Sequence, residues 1–417
     1  MASEWGHTRI GQVAHRVTKG TTPTTIGGQF TERGIAFVKA ESITDDGRID
    51  QSKLAHIDDV TNELLSRSVL NEEDILFTIA GTIGRVAMVP YAILPANTNQ
   101  AVAIIRPNRS VIEPRYLYYA LRDKQRVRRA LTRVVQSVQA NLSLTELSET
   151  QIPLPSIQEQ RAIAHILGTL DDKIELNRRM NQTLEAMAQA LFKSWFVDFE
   201  PFRDQGMQDS ALGEIPAGWR TEQLDKVADF LNGLALQKYP PEGEDYLPVI
   251  KIAELRRGVN ESSGRASPFI SKEYIVEDGD ILFSWSGSLE VCIWCGGKGA
   301  LNQHLFKVTS TAYPKWFYYH WTRYHLPEFQ AIAAGKATTM GHIQRYHLSS
   351  ALVVIPPKNV LETMDKMISP LLDSVINNNL ESRILAATRD TLLPKLLSGE
   401  IRVKDARNFQ GRYHEQN

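Results

Sequence analysis

The 417-residue chain carries an internal repeat. Residues 73–85, EDILFTIAGTIGR, match residues 279–291, GDILFSWSGSLEV, at an offset of 206. Asn99–Gln100 matches Asn302–Gln303 at 203, and Tyr118–Tyr119 matches Tyr318–Tyr319 at 200. Leu147–Ser148 and Pro155 match Leu348–Ser349 and Pro356 at 201. At the front of each copy, Trp5, Ile10, Val13 and Ala14 match Trp219, Leu224, Val227 and Ala228 at 214. The order is kept while the offset falls. The second copy has therefore lost residues in loops, which tolerate deletion where packed elements do not. A chain of this length with two copies folds as two or three domains, not one.

Each copy has two parts. The first holds short β-type runs, DILFTI, AVAIIRP, DILFSW and LVVIPP, separated by Gly, Pro, Asn and Asp clusters. A helical stretch sits inside each, PRYLYYALRDKQRVRRAL and PKWFYYHWTRYHL. The second part is a long helix. Positions 163, 167, 170, 174, 177, 181, 184, 188, 191 and 195 step alternately by four and three. They hold Ile, Leu, Leu, Ile, Asn, Asn, Leu, Ala, Leu and Trp, and the same stripe recurs 201 residues later from Met364 to Leu396. A 3.5-residue period over more than four heptads predicts a coiled coil. Asn177 and Asn378 take the same heptad slot in the two helices. A seam Asn fixes register because a misaligned buried amide has no partner. Antiparallel helices about a pseudo-twofold axis would bring these two amides together. At 1.5 Å per residue such a helix spans roughly 55–60 Å.

The fold class expected is α/β (α+β), with two tandem β-rich domains related by pseudo-twofold symmetry and joined by two long antiparallel coiled-coil helices. The boundaries expected are domain one at 1–156, the first long helix at 157–198, and a linker at 199–213. Domain two follows at 214–357, then the second long helix at 358–400 and a polar tail at 401–417. Gly, Pro and polar residues through 199–219 mark the break between copies.

Catalytic patterns are missing from the sequence. It holds no GxGxxG after a strand, no GxxxxGK[ST], no HExxH, no GxSxG and no Asn/Asp-Pro-Pro-aromatic tetrapeptide. GGKG at 296–299 lacks the hydroxyl residue after its Lys. Cys292 and Cys295 form a CxxC, but a structural zinc site needs four ligands, so they read as small strand residues and no metal is expected. Two cysteines exclude a disulfide scaffold and fit a reducing cytoplasm. No apolar run of membrane-spanning length occurs, and the amino-terminal MASEWGHTRIGQ has no signal pattern. The expectation is a cytoplasmic chain without a membrane partner and without covalent chemistry of its own.

Charge is uninformative in total, 47 − 48 = −1, but not locally. Residues 106–133 hold nine Lys or Arg, among them Arg126, Arg128 and Arg129, against Glu113 and Asp123. Residues 307–345 hold five against Glu328. Tyr116, Tyr118, Tyr119, Trp316, Tyr318, Tyr319 and Trp321 interleave with these charges. A basic, aromatic surface suits phosphate contact; a solvated helix face with aromatics in the core gives the same pattern. Turn segments add candidates. Lys19-Gly-Thr-Thr-Pro23, with Thr22, and Gly81-Thr82-Ile-Gly84-Arg85 can offer N–H and hydroxyl groups to phosphates. Asn99, Gln100, Asn302, Gln303 and His304 carry base-reading or turn-capping side chains.

This architecture resembles the specificity subunit of Type I restriction-modification systems over residues 1–400. The motifs that carry the resemblance are IPLPSIQEQRAIAHIL (152–167), LFKSWFVDFEPF (191–202), LGEIPAGW (212–219) and LLPKLLSGEI (392–401). Pro155, Gln158 or Gln160, and Ile163 give the Pro…Gln…Ile lead into the first helix, and IPPKNVLETMDKMI departs from it.

The resemblance implies two target recognition domains, each reading half of a split DNA site in the major groove, with the helix pair setting the spacer. It implies partners: double-stranded DNA, two methyltransferase subunits that use S-adenosylmethionine to methylate adenine N6, and restriction/translocase subunits that use ATP and Mg2+. The chain itself would bind no cofactor. Carried over by the resemblance are Gly20, Pro23, Gly81, Gly84, Asn99, Gln100, Gln139 and Asn141 in copy one. In copy two they are Ser286, Gly287, Ser288, Asn302, Gln303, and Lys336 to His342; Lys39 and Lys251 complete the DNA-contact candidates. Two other readings stay open: the recognition part of a single-chain methyltransferase or nuclease, and a coiled-coil protein-binding scaffold.

Overall fold

A computed structural model of the chain describes residues 5–123, 141–241, 243–335 and 341–403. The chain divides into two compact units, Met1–Asp172 with Leu385–Asn417, and Lys173–Ile384. Each unit holds one β-rich domain and a stretch of each long helix, Ile157–Phe196 and Lys358–Ser398.

In the first unit, Ala14–Lys19, Val102–Pro107, Ile75–Thr78 and Val86–Met88 form one four-stranded antiparallel sheet, in that spatial order. Its central strands are mostly apolar, with Arg106 and Thr78 near their ends, because both faces are covered. Ile75, Phe77, Ala103 and Ile105 point into a core with the helix Pro114–Arg122. Leu76, Val102 and Ile104 point the other way, onto Val38, Ile43 and Ala96. The period of two thus feeds two separate cores. A second sheet orders Phe30–Thr31, Ala55–Ile57, Ile35–Val38 and Ala96–Thr98, the last two parallel.

The second unit repeats this. Asp229–Asn232, Leu305–Thr309, Ile281–Ser284 and Glu290–Ile293 form the equivalent antiparallel sheet. Ile281 and Phe283 again face the large core while Leu282 faces the small one. The parallel pair recurs as Leu247–Ile250 with Gly299–Leu301. In both domains the first strand closes on the last, His7–Arg9 on Gln151–Pro153 and Arg220–Gln223 on Leu352–Ile355. Even the ion pair beneath the sheet is repeated, as Asp74–Arg106 and Asp280–Lys307.

None of the twenty stripe positions in the two long helices is exposed. Ser156 caps the first helix through the Glu159 N–H. Gly399, at φ 80°, ends the second. Within the first unit, Leu393, Leu396 and Leu397 pack with Ile163, Ala164 and Leu167. Asp171 meets Arg389 and Glu159 meets Arg402, so partner numbers fall as positions rise and the helices are antiparallel. Within the second unit, Asn177 meets Ser382 and Asn181 meets Asn379, the same sense. No helix among the described residues is long and apolar enough to cross a membrane.

The break between copies is built structure: Met207–Ser210 pairs with Gly213–Pro216 as a hairpin, and Phe202, Ile215 and Trp219 enter the core of the second unit. Its aromatics anchor what its Gly and Pro content marks as a linker. At the other end, Arg402 is bidentate to Glu159 and lies over Trp5, so packing continues past Ile401.

Candidate nucleic-acid interface

In each domain three segments converge at one end of the antiparallel sheet. The first is the loop joining Ile75–Thr78 to Val86–Met88 in copy one and Ile281–Ser284 to Glu290–Ile293 in copy two. In copy one Thr78 closes it: its hydroxyl donates to the Thr82 carbonyl at 2.5 Å and accepts from the Arg85 N–H at 2.9 Å. In copy two Ser284 does the same, donating to the Ser288 carbonyl at 2.7 Å and accepting from the Glu290 N–H at 2.8 Å. A buried hydroxyl at the loop's neck satisfies two backbone groups that a strand partner would otherwise take.

The second segment is the Asn–Gln turn. Asn99 Oδ1 accepts from the Ala101 N–H and Asn302 Oδ1 from the His304 N–H, so both amides cap their own turns. A glycine packs against each turn. A Cβ on Gly20 or on Gly233 would overlap the carbonyls of Thr98 and Asn99 or of Leu301 and Asn302. The third segment joins through one backbone hydrogen bond in each copy: the Leu142 N–H donates to the Ile79 carbonyl, and the Ile343 N–H to the Trp285 carbonyl.

The frame is common to the two copies, but its side chains differ. Copy one presents exposed Lys19, Thr82, Gln100 and Asn141, with Thr22 and Asn99 half-buried. Thr22 donates its hydroxyl to the Gln100 amide oxygen. Arg85 is occupied: it is bidentate to Asp45 and also donates to the Ile43 carbonyl at 3.0 Å. Lys39 lies over the Phe30 ring and 3.8 Å from Glu41.

Copy two gathers Ser286, Asn302, Gln303, His304 and His342. The Ser286 hydroxyl is 2.9 Å from His304 Nδ1, and Gln303 Nε2 is 3.4 Å from His304 Nε2. Ser286 bridges to His342 through the backbone. Ser286 and Asn302 are buried, Gln303, His304 and His342 half-buried, and Ser288 and Lys251 exposed. Two residues absent from the sequence candidates belong here. Trp285 donates its indole N–H to Asn232 at 2.9 Å, and its ring lies beside His304 and His342. They take the slots of Ile79 and Lys19, so the alignment of the copies was the signal available for them.

The basic helical stretch behaves differently from a phosphate-binding surface where it is described. Arg106 pairs with Asp74, Arg109 with Glu73, Arg115 with Asp172 and Arg122 with Asp171. Tyr116, Tyr118, Tyr119, Trp316, Tyr318, Tyr319 and Trp321 are buried, the core alternative. Arg126, Arg128, Arg129, Gln139 and Lys336 lie outside the described residues. Cys292 lies in a strand and Cys295 just beyond it, both half-buried, and desolvation pushes the Cys292 thiol up to about 12. Gln160 is structural: it accepts from the Glu113 N–H and donates to the Pro155 carbonyl.

At the helix pair, Asn177 donates to Glu381 at 2.8 Å, to Ser382 at 3.2 Å and to the Asn378 carbonyl at 3.3 Å. The Asn378 amide does not face that of Asn177; it donates to Asn181 at 2.9 Å.

Comparison with known proteins fits this two-domain design. The chain is 29% identical to the Type I restriction enzyme MjaIX specificity subunit of Methanocaldococcus jannaschii, over 96% of this chain and 94% of that one. It is 23% identical to the Type I restriction enzyme HindI specificity subunit of Haemophilus influenzae, over 72% and 80%. Its fold is that of the crystal structure of the Type-I restriction-modification system S subunit from M. genitalium, with a TM-score of 0.54 at 16% identity, covering 95% of this chain and 96% of that one. The profile of the Type I restriction modification DNA specificity domain matches residues 2–186 and again 216–387, and the chain belongs to that family, with two copies of its domain.

Proposed function

We propose that each domain reads one half of a bipartite DNA target and that the helix pair sets the unread spacer between the halves. The carrying observation is one frame filled twice with different side chains. Ile79, Lys19, Ala101 and Asn141 in copy one stand where copy two has Trp285, Asn232, His304 and His342. Two different readers fit two different half-sites, hence a non-palindromic target.

In this reading the chain supplies the address and no catalysis. Methyltransferase subunits dock on it, hold S-adenosylmethionine and methylate an adenine N6 in each half after flipping the base. Restriction/translocase subunits using ATP and Mg2+ join them for cleavage. The chain itself holds no cofactor and works in the cytoplasm.

A mixing experiment tests this. The purified chain alone should transfer no methyl groups to DNA, and addition of the methyltransferase subunits should produce methylation at a split site. Methyl transfer by the chain alone would show that it is a single-chain enzyme. DNA binding independent of sequence and salt, with tight binding of an unrelated protein, would favour a scaffold.

A further inference from the structure

The hairpin that carries the copy-two reading loop is bound at its opposite end by an arginine of the second long helix, beside the core it shares with Ile368 and Leu372. Strands Ile281–Ser284 and Glu290–Ile293 are antiparallel neighbours, with residues 285–289 joining them at the reading end. At the other end lie Asp278, one turn before the first strand, and Cys295, just after the second. Arg383 binds both. Its guanidinium is bidentate to Asp278 at 2.7 and 2.7 Å, and Nη1 also donates to the Cys295 carbonyl at 2.6 Å. Asp278 in turn accepts the Gly297 N–H at 2.8 Å, which ties the two strand ends to each other. Hydrogen bonding from Arg383 holds the Asp278 carboxyl below its ordinary range, so the pair stays charged at neutral pH. The bidentate fork restricts angle as well as distance.

Copy one has no counterpart: the slot 201 residues before Arg383 is Gln182, and the slot 206 before Asp278 is Glu72. Its domain is linked to the helices through a different chain of contacts. Asp171 accepts from the Tyr119 hydroxyl and from Arg122 and Arg389. Arg122 also donates to the Tyr118 hydroxyl, which donates to the Gly47 carbonyl.

We propose that Arg383 and Asp278 form a positioning clasp that sets the direction in which the copy-two reading loop leaves the helix pair, and so makes the complex selective for spacer length and for the second half-site. The proposal rests on the bipartite-reader function above. The strands between clasp and loop are four residues each, roughly 13 Å of stiff hairpin, so a change of angle at Arg383 displaces the reading side chains. Neither residue touches the reading loop; both act through the hairpin.

The test uses the full chain assembled with its methyltransferase subunits and a DNA library in which spacer length and each half-site vary independently. Wild-type complex should methylate one spacer length; failure of that control would contradict the bipartite-reader function and not the clasp. Arg383→Gln and Asp278→Asn should each reduce discrimination against spacers one base pair longer or shorter roughly tenfold. They should also relax the second half-site, while discrimination at the first stays unchanged. The exchange Arg383→Asp with Asp278→Arg should recover a large part of the wild-type profile. Uniformly lower methylation with an unchanged spacer profile would overturn the proposal, as would equal relaxation of both half-sites.

Discussion

Asn378 donates its side-chain amide to Asn181 at 2.9 Å, while Asn177 spans to Glu381 and Ser382. The repeat offset makes Asn177 equivalent to Asn378, and Asn181 to Ser382. The two crossings, 177 with 382 and 181 with 378, therefore exchange under the repeat. Successive seam slots pair in an antiparallel coil, which is why the amides of Asn177 and Asn378 do not face each other. This polar layer is incomplete: Asn177 Oδ1 is buried without a hydrogen-bond partner.

Asn378→Ala should destabilise the chain by about 1–3 kcal/mol, because Asn181 Oδ1 is left buried and unpaired. The double change Asn181→Leu with Asn378→Leu should be neutral or stabilising, at the expense of a unique register. Denaturant unfolding of the three proteins checks this. A double variant less stable than Asn378→Ala would show that the layer contributes stability and not alignment.

Arg389 occupies a seam position yet is charged, and it is buried against Asp171. Burial works against its charge, but Asp171 and Asp390 more than offset that and raise its pKa. Removing one partner strands the other, so Asp171→Ala should cost about 3 kcal/mol. It also leaves Arg122 and the Tyr119 hydroxyl without that carboxylate. An unfolding free energy within 0.5 kcal/mol of wild type would contradict the placement of this pair in a largely desolvated seam.

His320 lies buried against Phe192, with Nε2 unpartnered and Arg323 nearby. Desolvation first, and then the Arg323 charge, depress its pKa to about 3 from 6.5. The unfolded chain binds the extra proton between those values. Stability from the neutral ring is thus full above pH 6.5 and is lost as pH falls toward 3, by up to about 1.4 kcal/mol per pH unit. Melting temperatures from pH 4 to 7 should fall less steeply for His320→Phe than for wild type. Parallel slopes would rule out a neutral buried His320.

Much of this was legible in the chain because it repeats. The drifting offset pointed to two domains, the 3.5-residue stripe located both helices, and the turn patterns named Ser286, Asn302 and His304, which the fold then brings together. What local sequence hid were partners distant in sequence. Arg115 and Arg122 look like a phosphate surface until Asp172 and Asp171, 57 and 49 residues on, fold against them. The tyrosines between them lie on the covered face of the same helix. Trp285 and Asn232 were not legible because each lies outside the Asn–Gln and hydroxyl–Gly turn patterns, and they join the cluster only through the indole hydrogen bond and ring contacts of the fold.

Gly20 and Gly233 test the shared frame. Gly233→Ala forces a methyl group into the Asn302 turn, and Gly20→Ala does so at Thr98 and Asn99. In the assembled complex each change should weaken discrimination at its own half-site roughly tenfold or more, with the other half-site unaffected. Loss at both half-sites from either change would argue against two independent readers.

The central claim is that the helix pair measures the gap between two readers. Deleting one heptad from each long helix removes roughly 10 Å of rod. Mapping methylated adenines in DNA from cells carrying the shortened chain with its methyltransferase subunits should show both half-sites unchanged and the spacer shorter by about three base pairs. An unaltered spacer with intact methylation would contradict the claim.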